Sequence, residues 1–343
     1  MKQPDLSPTT RHIIIDPDNI DPDLIREAAD VIRRGGLVAF PTETVYGLGA
    51  NALDAKAVAK IFEAKKRPLD DPLIVHINDK ASLDILVRDI SPVETALAAR
   101  FWPGALTLVL NKKDIIPDIV TTGLDSAAIR MPSGKIALAL IKAAGVPIAA
   151  PSANLFGKTS PTTAAHVKED LDGRIDLIID GGSTDIGVES TVISVVDGEV
   201  RILRPGGVSV EEIREIVPRV KVYTEEEIIK CSPGKYKQHY APRAAVVIVA
   251  NDRAQTDKCL ALAKEAAKRS KVGIMSKAEH AVFYKPFNTR VMGPGDDLAK
   301  CATGLFRVLR EFDSDGTEII FAEAVEERGL GLAIMNRLRK AAG

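Results

Sequence analysis

The stretch Phe40-Pro-Thr-Glu-Thr-Val-Tyr-Gly-Leu-Gly49 follows directly on the apolar run Leu37–Phe40, which is typical of a buried strand. A plain turn after a strand needs only Gly, Asn or Asp. This one also carries two threonines, a carboxylate and a phenol, at Thr42, Thr44, Glu43 and Tyr46. That surplus of hydrogen-bonding side chains predicts a loop that holds something small and polar. The alternative is a capped turn, in which the two threonines bond to the local backbone.

Outward from this strand, short runs rich in Val and Ile alternate with helically spaced stretches. Strands are predicted at Leu37–Phe40, Leu73–Ile77, Leu106–Leu110, Ala127–Met131, Val146–Ala150, Leu177–Ile179, Val192–Val196 and Arg201–Leu203. Helices are predicted at Ile20–Arg33, Asp54–Lys65, Pro92–Arg100 and Gly134–Ala144, the second with Asp54 as its N-cap. The alternation predicts an α/β domain with a largely buried sheet.

The character of the chain changes near Lys221. A run from Lys230 to Arg243 is rich in Pro, Gly and basic residues without clear periodicity, so we interpret it as a linker. Beyond it, strands at Ala245–Ala250, Val272–Met275 and Glu318–Ala322 alternate with helices at Asp257–Ser270, Asp297–Glu311 and the C-terminus. The predicted divisions are a first domain over residues 12–220, a linker over 221–243 and a smaller, doubly wound α/β domain over 244–343.

Length, charge and cysteine content restrict the class of protein. A chain of 343 residues predicts two domains, and a net charge of -1 predicts no general attraction to nucleic acid or membrane. The three cysteines lie far apart without a Cys-x-x-Cys pair, which argues against a zinc site or disulfide framework and for reduced thiols in the cytoplasm. The polar N-terminus and the lack of a long apolar run argue against secretion and a membrane span.

Four cations lie at or near the ends of predicted elements, where open α/β sheets bind ligands: Lys65, Arg67, Arg130 and Arg204. Each has a structural alternative as well. A helix dipole favours cations such as Lys65 at a helix end, Arg130 could pair with an acid of the protein itself, and a lone histidine such as His76 is more often structural. No nucleophile elbow, His-Glu-x-x-His helix or dinucleotide fingerprint is present. The set therefore favours phosphate binding, with catalysis by positioning and charge neutralisation.

A series of short motifs occurs in one order along residues 12–217: Pro41-Thr-Glu-Thr-Val-Tyr-Gly-Leu-Gly49, Lys65-x-Arg67-Pro68, Pro72-Leu-Ile-Val-His76, Trp102-Pro-Gly104, Arg130-Met-Pro132, Ala150-Pro-Ser-Ala-Asn154, Glu189-Ser-Thr191 and Arg204-Pro-Gly206. In this order they resemble the threonylcarbamoyl-AMP synthase family, whose members are YrdC-like proteins. The linker motif His239-Tyr-Ala-Pro242 and the second α/β unit resemble the two-domain branch of that family.

The resemblance implies a YrdC-like α/β fold, with a twisted mixed sheet and a basic cavity, followed by a Rossmann-like C-terminal domain. It implies that L-threonine, bicarbonate and ATP become threonylcarbamoyl-AMP and pyrophosphate, with Mg2+ held mainly by the ATP phosphates. The product is expected to supply threonylcarbamoyladenosine modification of ANN-decoding tRNAs, which partner transferases carry out. Direct binding of tRNA or RNA stays open.

The resemblance also assigns residues. L-threonine is expected to contact Thr44, His76, Arg130 and Ser190. ATP is expected to contact Lys65, Arg67, Asp71, Ser126, Ala150, Ser152, Ser160, Arg204 and the linker residue Tyr240. Charge neutralisation in catalysis is expected from Lys65, Arg67 and Arg130, and no metal-ligating side chain is assigned.

Two departures from the family pattern affect the ATP site. Family members commonly carry Asn where this chain has Asp71, and a carboxylate there would repel triphosphate unless a cation intervenes. In the linker, Tyr236 stands one place early, although His239-Tyr240 aligns. Because the linker carries the matching tyrosine, we hypothesise that the second domain acts as a lid or regulator.

Two rival interpretations stay open. One is a non-catalytic RNA-binding protein, favoured by the linker's basic run. The other is a carbamoyl-transfer maturation enzyme, although its acylphosphatase segment and cysteine-rich zinc motifs are absent from this sequence.

Overall fold

The structure is a computed structural model and describes residues 9–223, 240–252 and 254–343. Most of the first domain is one eleven-stranded sheet, in the spatial order β1-β8-β2-β3-β7-β4-β6-β5-β9-β10-β11. Its strands are β1 (Arg11–Ile14), β2 (Val38–Pro41), β3 (Tyr46–Asn51), β4 (Ile74–His76), β5 (Leu106–Asn111), β6 (Ser126–Arg130), β7 (Ile148–Ala149), β8 (Leu177–Asp180), β9 (Thr191–Val196), β10 (Glu199–Arg204) and β11 (Val220–Val222). The sheet contains both parallel and antiparallel pairs, so the predicted mixed sheet is confirmed.

Helices cover the first sheet: α1 (Pro22–Arg33), α2 (Ala55–Lys65), α3 (Leu83–Leu86), α4 (Pro92–Phe101), α5 (Asp118–Thr121), α6 (Lys135–Ala144), α7 (Ala164–Leu171) and α8 (Val210–Ile216), with a 3-10 turn at Lys80–Ser82. Helix α2 illustrates why they form. The Asp54 carboxylate accepts the backbone N–H groups of Lys56 and Ala57, which confirms the predicted N-cap. Val58, Ile61 and Phe62 bury one face at helical spacing, and the helix ends where Lys66 turns left-handed.

The stretch Phe40–Gly49 is a hairpin rather than one continuous loop. The predicted loop is wrong for its second half, because Tyr46–Asn51 forms β3, antiparallel to β2. Glycine makes this close packing feasible, since a Cβ at Gly49 would lie 2.7 Å from both the Phe40 ring and Ile148. Only residues 42–45 form the turn. There the Thr42 hydroxyl accepts the N–H groups of Thr44 and Val45, as in the capped-turn alternative.

The second domain contains β12 (Ala245–Val249), α9 (Gln255–Ala266), β13 (Val272–Lys277), a 3-10 segment (Ala278–Tyr284), β14 (Asn288–Gly293), α10 (Leu298–Ser314), β15 (Ile319–Glu323) and α11 (Leu330–Ala342). All its paired strands are parallel, in the order β12-β15-β13-β14. Side chains alternate along β15, where Phe321 packs with α9 while Ile320 and Ala322 pack with α10 and α11. Helices therefore cover both faces, as in the doubly wound arrangement that was predicted.

The second domain is docked tightly on the first. A Cβ at Gly187 would lie 2.4 Å from the Cα of Thr303, so only glycine lets helix α10 approach this loop. The buried Arg310 of α10 forms an ion pair of 2.7 Å with the fully buried Asp170 of α7. Val188 of the first domain joins the apolar core formed by α10 and α11. This docking brings the C-terminal helix next to the cavity described below.

Two further sequence predictions concern the end of the first domain and the cysteine thiols. Strand β11 pairs with β10, so the first sheet runs to Val222, across the boundary predicted at residue 220. Cys259 and Cys301 are buried free thiols, and Cys231 lies outside the described residues. In the described parts of the chain, no helix is both long and apolar enough to cross a membrane.

Candidate active site

A cavity of about 470 Å3 opens on the first sheet. Its wall comes from the 42–45 turn, from strands of the sheet, from the loop after β7 and, in the second domain, from helix α11. Except for Lys65 and Ser160, every residue assigned to a site from the sequence lines it: Thr44, Arg67, Asp71, His76, Ser126, Arg130, Ala150, Ser152, Ser190, Arg204 and Tyr240. Residues far apart in the sequence therefore share one cavity.

The register of the sheet sets one end of the cavity. His76 at the end of β4 lies beside Arg130 at the end of β6, and Arg130 lies beside Thr107 of β5. The next strand, β9, pairs with β5 and begins immediately after Ser190. The Ser190 and Thr107 hydroxyls are hydrogen-bonded at 2.8 Å. A guanidinium, an imidazole and hydroxyls thus meet across four neighbouring strands.

Arg130 is held by the turn with which the sequence analysis began. Its Nη2 lies 2.7 Å from Oε1 of Glu43, and both side chains are buried. Its Nη1 donates to the Thr44 hydroxyl at 2.9 Å, and its Nε donates to the Gly104 carbonyl at 3.1 Å. Burial would raise the pKa of Glu43, but the Arg130 charge outweighs it and holds that pKa below its usual value. The turn's carboxylate therefore anchors the arginine, which is the structural alternative left open for Arg130.

His76 is buried in the cavity wall. Burial, followed by the positive charge of Arg130, lowers the pKa of His76 to about 3. Its imidazole is therefore neutral at physiological pH, so it can hydrogen-bond a ligand but cannot neutralise a carboxylate. Its Nδ1 is buried and has no hydrogen-bond partner among the described residues. A buried polar atom of this kind is expected where a polar ligand binds.

Arg67 and Asp71 form the second end of the cavity. Nη2 of Arg67 lies 2.7 Å from Oδ2 of Asp71, and both side chains are almost buried. The same guanidinium donates to the carbonyls of Asp71 and Pro72, at 3.0 and 3.1 Å. The cation that the Asp71 departure required is therefore present in the protein. Burial nevertheless raises the pKa of Asp71, although Arg67 opposes this shift.

Arg204 ends β10 and points to the loop before β9. Its Nη2 donates to the Ser190 carbonyl at 3.0 Å and to the Ser190 hydroxyl at 3.2 Å. Within residues 9–223, 240–252 and 254–343, no carboxylate lies within ion-pair distance of its guanidinium. The charge of Arg204 is therefore not balanced by a direct ion pair there, in contrast to Arg67 and Arg130.

Two family models match consecutive parts of the chain. One, described as "Telomere recombination", matches residues 30–206. The other, described as "Threonylcarbamoyl-AMP synthase, C-terminal domain", matches residues 208–343. The chain belongs to the threonylcarbamoyl-AMP synthase family.

Relatives in this family match over nearly the full length. The threonylcarbamoyl-AMP synthase of Pyrococcus abyssi is 49% identical over 93% of this chain and 94% of that protein. The synthase of Bacillus subtilis is 47% identical over 93% of each. The solved structure of P. abyssi Sua5 complexed with L-threonine has a TM-score of 0.91 and 46% identity, and it covers 97% of this chain and 98% of that one.

Two residues that the family resemblance assigned to ATP lie behind the cavity wall. Lys65 is almost fully buried, and its ammonium donates to the backbone carbonyls of Ser152 and Asn154. Burial, then the charge of Arg67, lowers the pKa of Lys65 well below its usual value. The Ser160 hydroxyl donates to the Glu189 carboxylate. In this structure both side chains therefore support wall loops rather than line the cavity.

The sequence analysis missed a contribution of the second domain of this synthase-family chain. Asn336 and Lys340 of α11 line the cavity, and Arg337 lies behind it with Nε 2.7 Å from Oε2 of Glu189. Glu189 was visible in the Glu-Ser-Thr motif, but no role was assigned to it. Nothing in the sequence pointed to Arg337, which lies 148 positions from its partner.

The linker residues divide between described and undescribed parts of the chain. Tyr240 lines the cavity, with its ring centroid 5.6 Å from that of Phe306 of α10. Tyr236 and His239 lie outside the described residues. The expected contact of Tyr240 with ATP therefore stays a prediction.

Proposed function

We propose that this protein is a threonylcarbamoyl-AMP synthase, which converts L-threonine, bicarbonate and ATP to threonylcarbamoyl-AMP and pyrophosphate. Its family and its relatives of 47 and 49% identity support this. The observation that carries the proposal is the single cavity, in which the anchored Arg130 lies at one end, Arg67 lies at the other, and Arg204 contacts Ser190. Such a cavity suits an amino acid and a triphosphate bound side by side.

At the first end, we propose that Arg130 binds the threonine carboxylate and that Thr44, His76 and Ser190 bind its remaining polar groups. The guanidinium is fixed by Glu43 and by the Gly104 carbonyl, so it is oriented before the ligand arrives. The neutral imidazole of His76 adds a hydrogen bond without competing for the carboxylate.

In the rest of the cavity, we propose that ATP binds the cations Arg67 and Arg204 and the wall residues Asp71, Ser126, Ala150, Ser152 and Tyr240. The threonine amine forms a C–N bond with the carbon of bicarbonate, and water leaves to give a carbamate. A carbamate oxygen then attacks the α-phosphorus of ATP, and the bond to the bridging oxygen breaks to release pyrophosphate. The residues position the reactants and balance charge, so no covalent nucleophile is required.

Magnesium would enter this site with the nucleotide. The carboxylates of Glu43, Asp71 and Glu189 each pair with an arginine, and the described residues include no group of three His, Cys, Asp or Glu side chains that could hold a metal. These side chains therefore do not fit a resident magnesium cage. We propose that Mg2+ binds as its ATP complex and that the product passes to a separate tRNA-modifying transferase.

The test is pyrophosphate release from ATP and Mg2+, with L-threonine and bicarbonate added separately and together. We expect release to require both, and mass spectrometry to detect threonylcarbamoyl-AMP. L-valine, which has the shape of threonine but no hydroxyl, is the matched control and should support little release. ATP binding without this double dependence would overturn the proposal.

A further inference from the structure

A buried carboxylate lies between the two ends of the cavity. Glu189 lines the cavity and directly precedes Ser190, and only 6% of its surface is exposed. Its Oε1 accepts a hydrogen bond from the Ser160 hydroxyl, and its Oε2 accepts one from Arg337. An uncompensated carboxylate here would repel a triphosphate and would itself be costly to bury.

The compensating cation comes from the other domain. Arg337 of α11 is completely buried. Besides Glu189, its guanidinium donates to the carbonyl of Pro205 at 3.0 Å and lies 5.1 Å from the Tyr240 ring centroid. These contacts fix its orientation from several sides. The docking of the second domain therefore places the positive charge of Arg337 next to Glu189, behind the cavity wall.

Arg204 is the other cation near this carboxylate. Burial would raise the pKa of Glu189, but Arg337 and then Arg204 lower it. The Arg204 guanidinium also donates to the carbonyl and the hydroxyl of Ser190, the residue that directly follows Glu189. If Arg337 were absent, Arg204 would be available in the cavity wall as a counterion of Glu189.

We infer that Arg337 is a positioning residue for the nucleotide: by neutralising Glu189 from the second domain, it keeps Arg204 available to the phosphates. This inference rests on the proposed function, because it assumes that ATP occupies the cavity. The second domain then contributes a positive charge to the electrostatics of the active site. Removal of Arg337 would turn Arg204 from a ligand-binding cation into an internal counterion.

The experiment compares full-length variants of the charge pair. Arg337→Met removes the cation, and Glu189→Gln/Arg337→Met removes both charges while Gln still accepts the Ser160 hydrogen bond. Arg310→Met is the matched control, because it removes another buried arginine of the docked domain whose acidic partners Glu169 and Asp170 do not line the cavity. Mg-ATP affinity is measured by calorimetry, and KM is measured for ATP and for L-threonine.

We expect Arg337→Met to weaken Mg-ATP binding about ten-fold to a hundred-fold, the effect of losing a charge-assisted contact. KM for L-threonine should change less, because Arg130 has its own anchor in Glu43. The double variant should recover most of the ATP affinity, and Arg310→Met should leave it near that of the wild type. Recovery by a second substitution is not expected if Arg337 only holds the domains together.

Equal losses of ATP affinity in Arg337→Met and Arg310→Met would overturn the inference, as would a double variant no better than Arg337→Met. If Arg337→Met does not fold, Glu189→Gln alone decides: it must bind Mg-ATP at least as tightly as the wild type, and weaker binding refutes the inference. A wild type that binds ATP but releases no pyrophosphate with threonine and bicarbonate would refute the proposed function. The affinity comparison would still decide the role of Arg337.

Discussion

Replacement of Arg130 by methionine should both destabilise the protein and weaken threonine binding, and the two effects can be measured separately. The guanidinium forms a buried ion pair of 2.7 Å with Glu43, and both side chains are at most 7% exposed. Leaving Glu43 unpaired should cost about 3–5 kcal/mol of unfolding free energy. The threonine carboxylate would lose a charge-assisted contact of about 1.5–3 kcal/mol, which corresponds to a rise of about ten-fold to a hundred-fold in KM for threonine.

The double variant Glu43→Gln/Arg130→Met is the matched control. It removes the buried charge that destabilises the single variant, so stability should largely return, whereas KM for threonine should stay high. Urea unfolding gives the stabilities, and pyrophosphate release at varied threonine and ATP gives both KM values. Equal increases in the two KM values, or recovery of threonine binding in the double variant, would refute the assignment of Arg130 to threonine.

Three more predictions concern His76, Asp71 and Gly187. Because the folded pKa of His76 is about 3 and its usual value is 6.5, its contribution to stability is complete above pH 6.5 and falls as the pH is lowered; urea unfolding should show a loss of about 2 kcal/mol at pH 5. Asp71→Asn should lower KM for ATP about three-fold, because the Arg67 charge is then no longer neutralised in the wall. Gly187→Ala should lower the Tm and weaken ATP binding, because its Cβ would lie 2.4 Å from helix α10.

Each of these predictions has a comparison variant or a result that would contradict it. His76→Asn should flatten the pH dependence of stability, and an unchanged slope would contradict the neutral buried imidazole. An unchanged or higher KM for ATP in Asp71→Asn would contradict the view that this carboxylate opposes the phosphates. Gly182→Ala shares the left-handed backbone of Gly187, with φ of 84° against 78°, but its Cβ would meet nothing within 4 Å. It should cost only the conformational strain of about 1–2 kcal/mol and leave ATP binding intact.

The motifs at predicted strand ends were informative because strands of an α/β sheet deliver their following loops to a common edge. His76 and Arg130 end neighbouring strands, Ser190 directly precedes β9, and the register of β4, β6, β5 and β9 brings the three residues together. The same reasoning did not predict whether a side chain faces the cavity or lies behind the cavity wall. Lys65 belongs to one of the motifs and Ser160 was assigned to ATP by the same resemblance, yet their side chains turn away from the cavity and support its loops.

Local sequence also failed to predict strand β3, because glycines stand where β-branched residues would indicate a strand. Tyr46-Gly-Leu-Gly49 lacks the β-branched residues that indicate a strand, and two glycines favour a turn in isolation. In the fold, those glycines let β3 pack closely against Phe40 and Ile148. Tertiary packing therefore outweighed local propensity at this hairpin.

The sequence by itself determined the two α/β units, the N-cap at Asp54 and three of the four predicted cations, Arg67, Arg130 and Arg204, which line the cavity. Only the tertiary structure decided how their charges are balanced. Arg130 pairs with Glu43 and Arg337 pairs with Glu189 across the sheet and across the domain interface. The strength of an ion pair depends on burial and on distances of a few ångströms. Neither quantity can be deduced from the order of residues along the chain.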